Sequence, residues 1–177
     1  MAVTTVVAPA PAASLKRLYL VRFAFAVVWA GLLFTTAKEL GPLAVTLLVI
    51  YPLFDVVAAV VDYRATRSRV LLLNIAISLL TTVGVAVAAA SGIPAVLRVW
   101  GAWAIVAGLV QLVVALGRRG MGGQWPMILS GGISVLAGGS FIAMAGAAEP
   151  TLGNAAGYAI PGGVFFLISA LRLGRVK

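Results

Sequence analysis

The chain has 177 residues, of which 63% are hydrophobic and only 10% charged, and its mean hydropathy is +1.15. Soluble domains are about half apolar and about a quarter charged, so this chain cannot cover its surface with polar groups and lipid must be its solvent. A formal charge of +9 would suggest nucleic acid in a soluble protein, but here the basic residues fall between apolar runs, which points to membrane topology and contact with anionic lipid headgroups, with no nucleic acid. The sequence has no Cys and no His. That excludes disulfides, thiolate and imidazole metal sites, thiol redox chemistry and His-based proton relays or triads. Neither catalysis nor a cofactor is expected.

Residues 1–14 are rich in Ala and Pro, carry no charged side chain, and read as a flexible tail. The basic pair Lys16-Arg17 before an apolar run resembles a signal peptide. The run is long, however, and no small-residue cleavage site closes it, so a retained first helix is the expectation. Six apolar stretches follow: Leu18–Thr36, Leu40–Tyr63, Val70–Ser91, Ala95–Leu116, Trp125–Ala148 and Thr151–Leu173. Each is close to the ~20 residues that cross a hydrocarbon core. Backbone groups in lipid must bond internally, and none of the stretches alternates like a barrel strand, so all six are predicted helices of one all-α membrane bundle, residues 15–177.

Orientation follows from the positive charges. Lys16 and Arg17 precede the first helix, Arg64, Arg67 and Arg69 lie between the second and third, Arg118 and Arg119 between the fourth and fifth, and Arg172, Arg175 and Lys177 end the chain. Only Lys38 and Arg98 fall on the other side. The positive-inside rule therefore predicts that both termini and both basic loops are cytoplasmic. The helices group as three hairpins, 18–63, 70–116 and 125–173. Gly31, Gly84 and Gly138 lie in the outgoing helices, Tyr51, Trp103 and Tyr158 in the returning ones, and each return ends at Arg64, Arg118 or Arg172. The period is about 53 residues, and hairpins that all begin and end inside are parallel repeats about an axis along the membrane normal.

Asp55 is the candidate site. It lies in LLVIYPLFDVVAAVVDY, about eight residues from the end of its predicted span and so about 12 Å deep. An intramembrane carboxylate is costly and suggests function, through proton or cation binding; an ion pair that locks packing is the alternative. Arg22, on the neighbouring span, is the expected partner unless it snorkels to the headgroups. Asn74, Ser78, Thr81 and Thr82 of the third helix and Gln111 of the fourth are polar groups at membrane depth, suited to interhelical bonding or to a polar path. Asp62, among Lys16, Arg17 and Arg64, reads as a solvated interfacial bridge. Ser130, Ser134 and Gly138 form a small-residue ridge on the fifth helix that can serve the bundle or a homo-oligomer. Pro52 and Pro161 can break their helices near the midplane, as in transporter sites, or merely bend them. Tyr19, Tyr63 and Trp125 suit the inner interface, Trp100 and Trp103 the outer one.

The later hairpins read RVWGAWAIVAGLVQLVVALGRRGMGGQWPMILSGGISVLAGGSFIAMAG and GYAIPGGVFFLISALRLGR. Trp100-Gly101 through Gly108 and Gln111, the Gln124-Trp125 step and the Ser130-Gly131-Gly132 and Gly138-Gly139 clusters resemble the HdeD-like family of small six-helix membrane proteins, also catalogued as domain-of-unknown-function 308. The likeness is best over residues 70–175. The resemblance implies an inner-membrane protein built of short hairpin repeats, linked in its best-known member to acid-stress resistance, and it supplies no catalytic residues. A small proton or solute transporter using Asp55 is the competing expectation.

Overall fold

A computed structural model describes residues 10–173. It is all-helical: α1 Ala10–Phe34, α2 Pro42–Thr66, α3 Val70–Ala88, α4 Ile93–Gly117, α5 Trp125–Met144 and α6 Gly153–Arg172. All six are long and apolar enough to cross a membrane, and the chain is a small polytopic membrane protein. Helices α2, α4 and α5 carry Pro in their first turn, where the missing N–H has no intrahelical acceptor to lose. Helix α2 stops at Arg67, which adopts the left-handed conformation (φ 56°) and returns its N–H to the Tyr63 carbonyl.

The predicted spans and the observed helices differ mainly at their ends. Helix α1 begins at Ala10, inside the stretch read as tail; residues 1–9 lie outside the described residues, as do Arg175 and Lys177. Helix α5 ends at Met144, before the expected Ala148. Helices α2 and α6 run unbroken through Pro52 and Pro161, so neither proline opens a gap in its helix. The indole Nε1 of Trp29 donates to the Leu47 carbonyl in the turn before Pro52 (2.7 Å), tying α1 to α2 at that point.

The helices form a closed ring in chain order, each packed on its neighbours and α6 closing on α1. The closest seams are α4–α5, α1–α6 and α2–α3, so the tightest contacts join one hairpin to the next. Each helix presents large apolar side chains outward: Val28, Val57, Leu80, Val113, Leu136 and Leu171 are all exposed. In water such a belt would drive association; in a bilayer it meets acyl chains. Inside the ring, Trp29, Leu33, Leu48, Leu97, Trp100 and Leu152 belong to one apolar core.

Small residues set the α4–α5 seam. A Cβ on Gly138 would lie 2.5 Å from the Gly101 carbonyl oxygen, and one on Gly108 2.8 Å from that of Gly131. The two backbones touch, and no larger residue fits. Ser130 and Ser134 are buried on the same face; the Ser134 hydroxyl bonds the Ser130 carbonyl and pairs with the Tyr158 hydroxyl of α6. The ridge is thus occupied within the bundle and does not offer a face to a second copy.

Gly138→Ala should lower the unfolding midpoint in detergent, by about 1–3 kcal/mol of overpacking. Gly139→Ala, where a Cβ meets open space, should be neutral or slightly stabilising, because alanine favours the helix by about 0.5–1 kcal/mol. Equal losses would mean that the α4–α5 contact does not limit stability.

Candidate functional site

Asp55 sits near the middle of α2, about 16 Å along the helix from its Thr66 end. The helix runs three residues past Tyr63, where the sequence reading ended the span. The carboxylate is buried and used by three donors. Arg22 Nη1 of α1 reaches Oδ1 at 2.8 Å; Asn74 Nδ2 and Ser78 Oγ of α3 reach Oδ2 at 2.6 and 2.8 Å. Asn74 and Ser78 are four residues apart and so share one face of their helix. The Trp103 indole of α4 donates in turn to Ser78 Oγ at 3.0 Å. The Arg22 guanidinium lies 5.1 Å from the Phe166 ring centroid of α6. The expected Asp55–Arg22 pair is therefore present, with Asn74 in it, and it gathers side chains from five of the six helices.

A second ionic layer lies two turns along α2. Asp62, seven residues after Asp55, projects from the same face. It is 6% exposed and takes a two-pronged bond from Arg118, Nη1 to Oδ2 at 2.9 Å and Nη2 to Oδ1 at 2.7 Å. Arg118 Nη2 also donates to Thr66 Oγ1 at 2.8 Å. This corrects the reading of Asp62 as a solvated bridge to Lys16, Arg17 or Arg64: its partner comes from the α4–α5 loop across the ring. Burial disfavours the charge on Arg118, but the hydrogen bonds and charge of Asp62 outweigh it and hold the guanidinium pKa above its ordinary value.

Gln111 does not join the Asp55 cluster. Its Nε2 donates to the Met127 carbonyl at 3.0 Å, bonding α4 to α5. It does line, with Asp55, Asp62, Arg22, Arg118 and Gln124, a cavity of about 70 Å³ between the two ionic layers. On the far side of Asp55 the axis is filled by aromatic rings. Trp29 and Trp100 stack with centroids 5.6 Å apart, and Tyr51 contacts both rings as well as Trp103. Trp100 and Trp103, expected at the outer interface, are buried here instead, and Tyr19, expected at the inner one, is buried too. The bundle thus has a polar half at the end that carries Arg118 and an aromatic half at the other, and Asp55 marks the boundary.

Two double substitutions test these contacts. Arg22→Leu should destabilise the chain by roughly 3–5 kcal/mol, because it strands a buried carboxylate. Adding Asp55→Asn should restore part of that loss, and strictly additive effects in denaturation would show that the two groups do not interact. Arg118→Lys keeps the charge but loses the fork, and should cost about 1–3 kcal/mol. With Asp62→Asn already in place, the same change should cost much less.

Comparison with known proteins finds no family model, no curated protein and no solved structure that matches this chain.

Proposed function

We propose that the chain is a structural or stress-response protein of the inner (plasma) membrane, HdeD-like and without catalysis, with both termini cytoplasmic. The observation that carries this reading is the saturation of Asp55. Both carboxylate oxygens are committed to donors from α1 and α3, which makes Asp55 a tie that holds three helices in register. The aromatic half of the axis supports the same view, since the rings of Trp29, Tyr51, Trp100 and Trp103 pack together beyond Asp55. The exposed arginines Arg64, Arg67, Arg69 and Arg119 lie at one end of the bundle. They support the cytoplasmic assignment and an attraction to anionic headgroups.

A second reading, a small proton or solute transporter, is favoured by the cavity that reaches Asp55 from the basic end. The two readings separate in proteoliposomes carrying a pH gradient. The structural reading expects no dissipation beyond protein-free vesicles, with native chain and Asp55→Asn alike. A native flux that vanishes in Asp55→Asn would replace it with the transport reading. In a cell that depends on the chain, survival after acid exposure should follow the amount of folded protein. It should fall with Arg22→Leu and recover in part when Asp55→Asn is added.

Orientation has its own test. With no native cysteine to interfere, Glu39→Cys and Ala148→Cys should react with an impermeant thiol reagent added outside intact cells. Ser68→Cys and Gly120→Cys should react only after lysis. The reverse pattern would put the termini outside.

A further inference from the structure

Helices α1 and α2 pack less closely than the α4–α5, α1–α6 and α2–α3 seams. At the basic end of the bundle a groove of about 360 Å³ lies between them. Ser14, Arg17, Leu18 and Val21 line it from α1, three or four residues apart and so on one face. Phe54, Val57, Ala58 and Val61 repeat that spacing on α2. Each stripe spans two helical turns, about 10 Å. Leu18 and the small Ala58 are buried and form the floor, while Val21, Val57 and Val61 are exposed and form the walls. Phe54, at the inner end, is held by stacking on Phe25 with ring centroids 3.8 Å apart.

The groove is polar at one end only. Ser14 and Arg17 are exposed on the first turns of α1, and all the other lining residues are apolar. Arg17 has no ion-pair partner among the described residues, because the two acids of α2, Asp55 and Asp62, are taken by Arg22 and Arg118. A second groove at this end, beside Val70 and Val113, differs on that point: its cation is Arg118, already committed to Asp62. An uncommitted guanidinium above an apolar slot matches an amphiphile with an anionic head and a hydrocarbon tail. The planar fork suits two phosphate oxygens at once. The slot then runs from the headgroup level toward the midplane, as an acyl chain does.

We propose that this groove holds an anionic phospholipid, its phosphate on Arg17 with the Ser14 hydroxyl as a second donor, and one acyl chain laid over Ala58 between the valine walls. The proposal rests on the headgroup attraction inferred above and assigns it to one cation and one slot. A chain gains little by leaving lipid for a slot that is equally apolar. The charge on Arg17 therefore supplies the preference for an anionic head, and the slot fixes where the chain lies. Neither depends on which leaflet the basic end faces.

The test is native mass spectrometry of the full chain released from nanodiscs of phosphatidylglycerol and phosphatidylcholine in equal amounts. The native chain should retain phosphatidylglycerol several-fold over phosphatidylcholine. Arg17→Gln should lose most of that preference, whereas Arg64→Gln, an exposed cation of the same end outside the groove, should keep it. Val57→Trp, which leaves the charge and crowds the slot, should lower phosphatidylglycerol retention several-fold. Because Arg17 is exposed and unpaired among the described residues, Arg17→Gln should melt with the native chain in lipid-free detergent. Added phosphatidylglycerol should then raise the midpoint of the native chain and not that of Arg17→Gln. If Val57→Trp fails to fold, the two arginine variants decide. Equal losses in Arg17→Gln and Arg64→Gln would overturn the site and leave a diffuse attraction standing; no preference in any chain would overturn both. A lipid-free dimer that Val57→Trp abolishes would give the groove to a second copy.

Discussion

A charge in hydrocarbon must be neutralised where it stands, and Asp55 imposes that condition on most of the molecule. Its helix is largely apolar, so the carboxylate depends on donors brought by the neighbouring helices. The solution is local: a guanidinium from α1, an amide and a hydroxyl from α3, and an indole from α4 that orients the hydroxyl. Each bond requires its helix at a given depth and rotation. The carboxylate thereby sets the relative positions of helices that the lipid solvent, being as apolar as their side chains, has little power to order.

The seams of the ring solve the same problem by different chemistry. Between α4 and α5 the backbones meet through glycine, and dispersion over a close contact does the holding. On the α1–α6 seam Gly163 faces Ala26 with less intimacy. Between α2 and α3, at a matching level, Asp55 bonds Asn74 and Ser78 instead. Of these three seams only α2–α3 is built on a carboxylate among the described residues, and that difference makes the interior asymmetric. The aromatic half and the ionic half follow from it, because Tyr51 lies one turn to one side of Asp55 and Asp62 two turns to the other.

Much of this was legible in the residues. Hydropathy alone located six spans, since ~20 apolar residues in succession have few other uses. The Asp55–Arg22 pair was legible because two opposite charges at similar depth on neighbouring spans have no better partners, and Asn74 and Ser78 stood out as polar groups four residues apart. Gln111 was recognised as a polar interior residue, but which carbonyl it reaches depends on helix rotation, which hydropathy does not encode. The Asp62–Arg118 pair was missed for a physical reason. Arg118 sits in a basic loop, where headgroup attraction already accounts for it, and its partner lies 56 residues away. The seven-residue spacing of Asp55 and Asp62 was the available signal, since it puts both on one inward face. Trp100 and Trp103 were misplaced because an aromatic near a span end fits an interfacial belt and a core equally well; only the closed ring distinguishes them.

The separation of the two ion pairs along the chain has a consequence for how the protein is made. Membrane helices enter the bilayer in the order of synthesis and associate afterwards. Arg22 and Asp55 are 33 residues apart, on the first two helices, so the deepest charge meets its counter-ion as soon as the first hairpin is in place. Arg118 emerges only after α4, and until then Asp62 has the Thr66 hydroxyl of its own helix but not its guanidinium. It tolerates the delay because it lies near the end of α2, where interfacial water still reaches. Depth and waiting time are matched: the acid that could least tolerate delay in the lipid is the one whose partner arrives first.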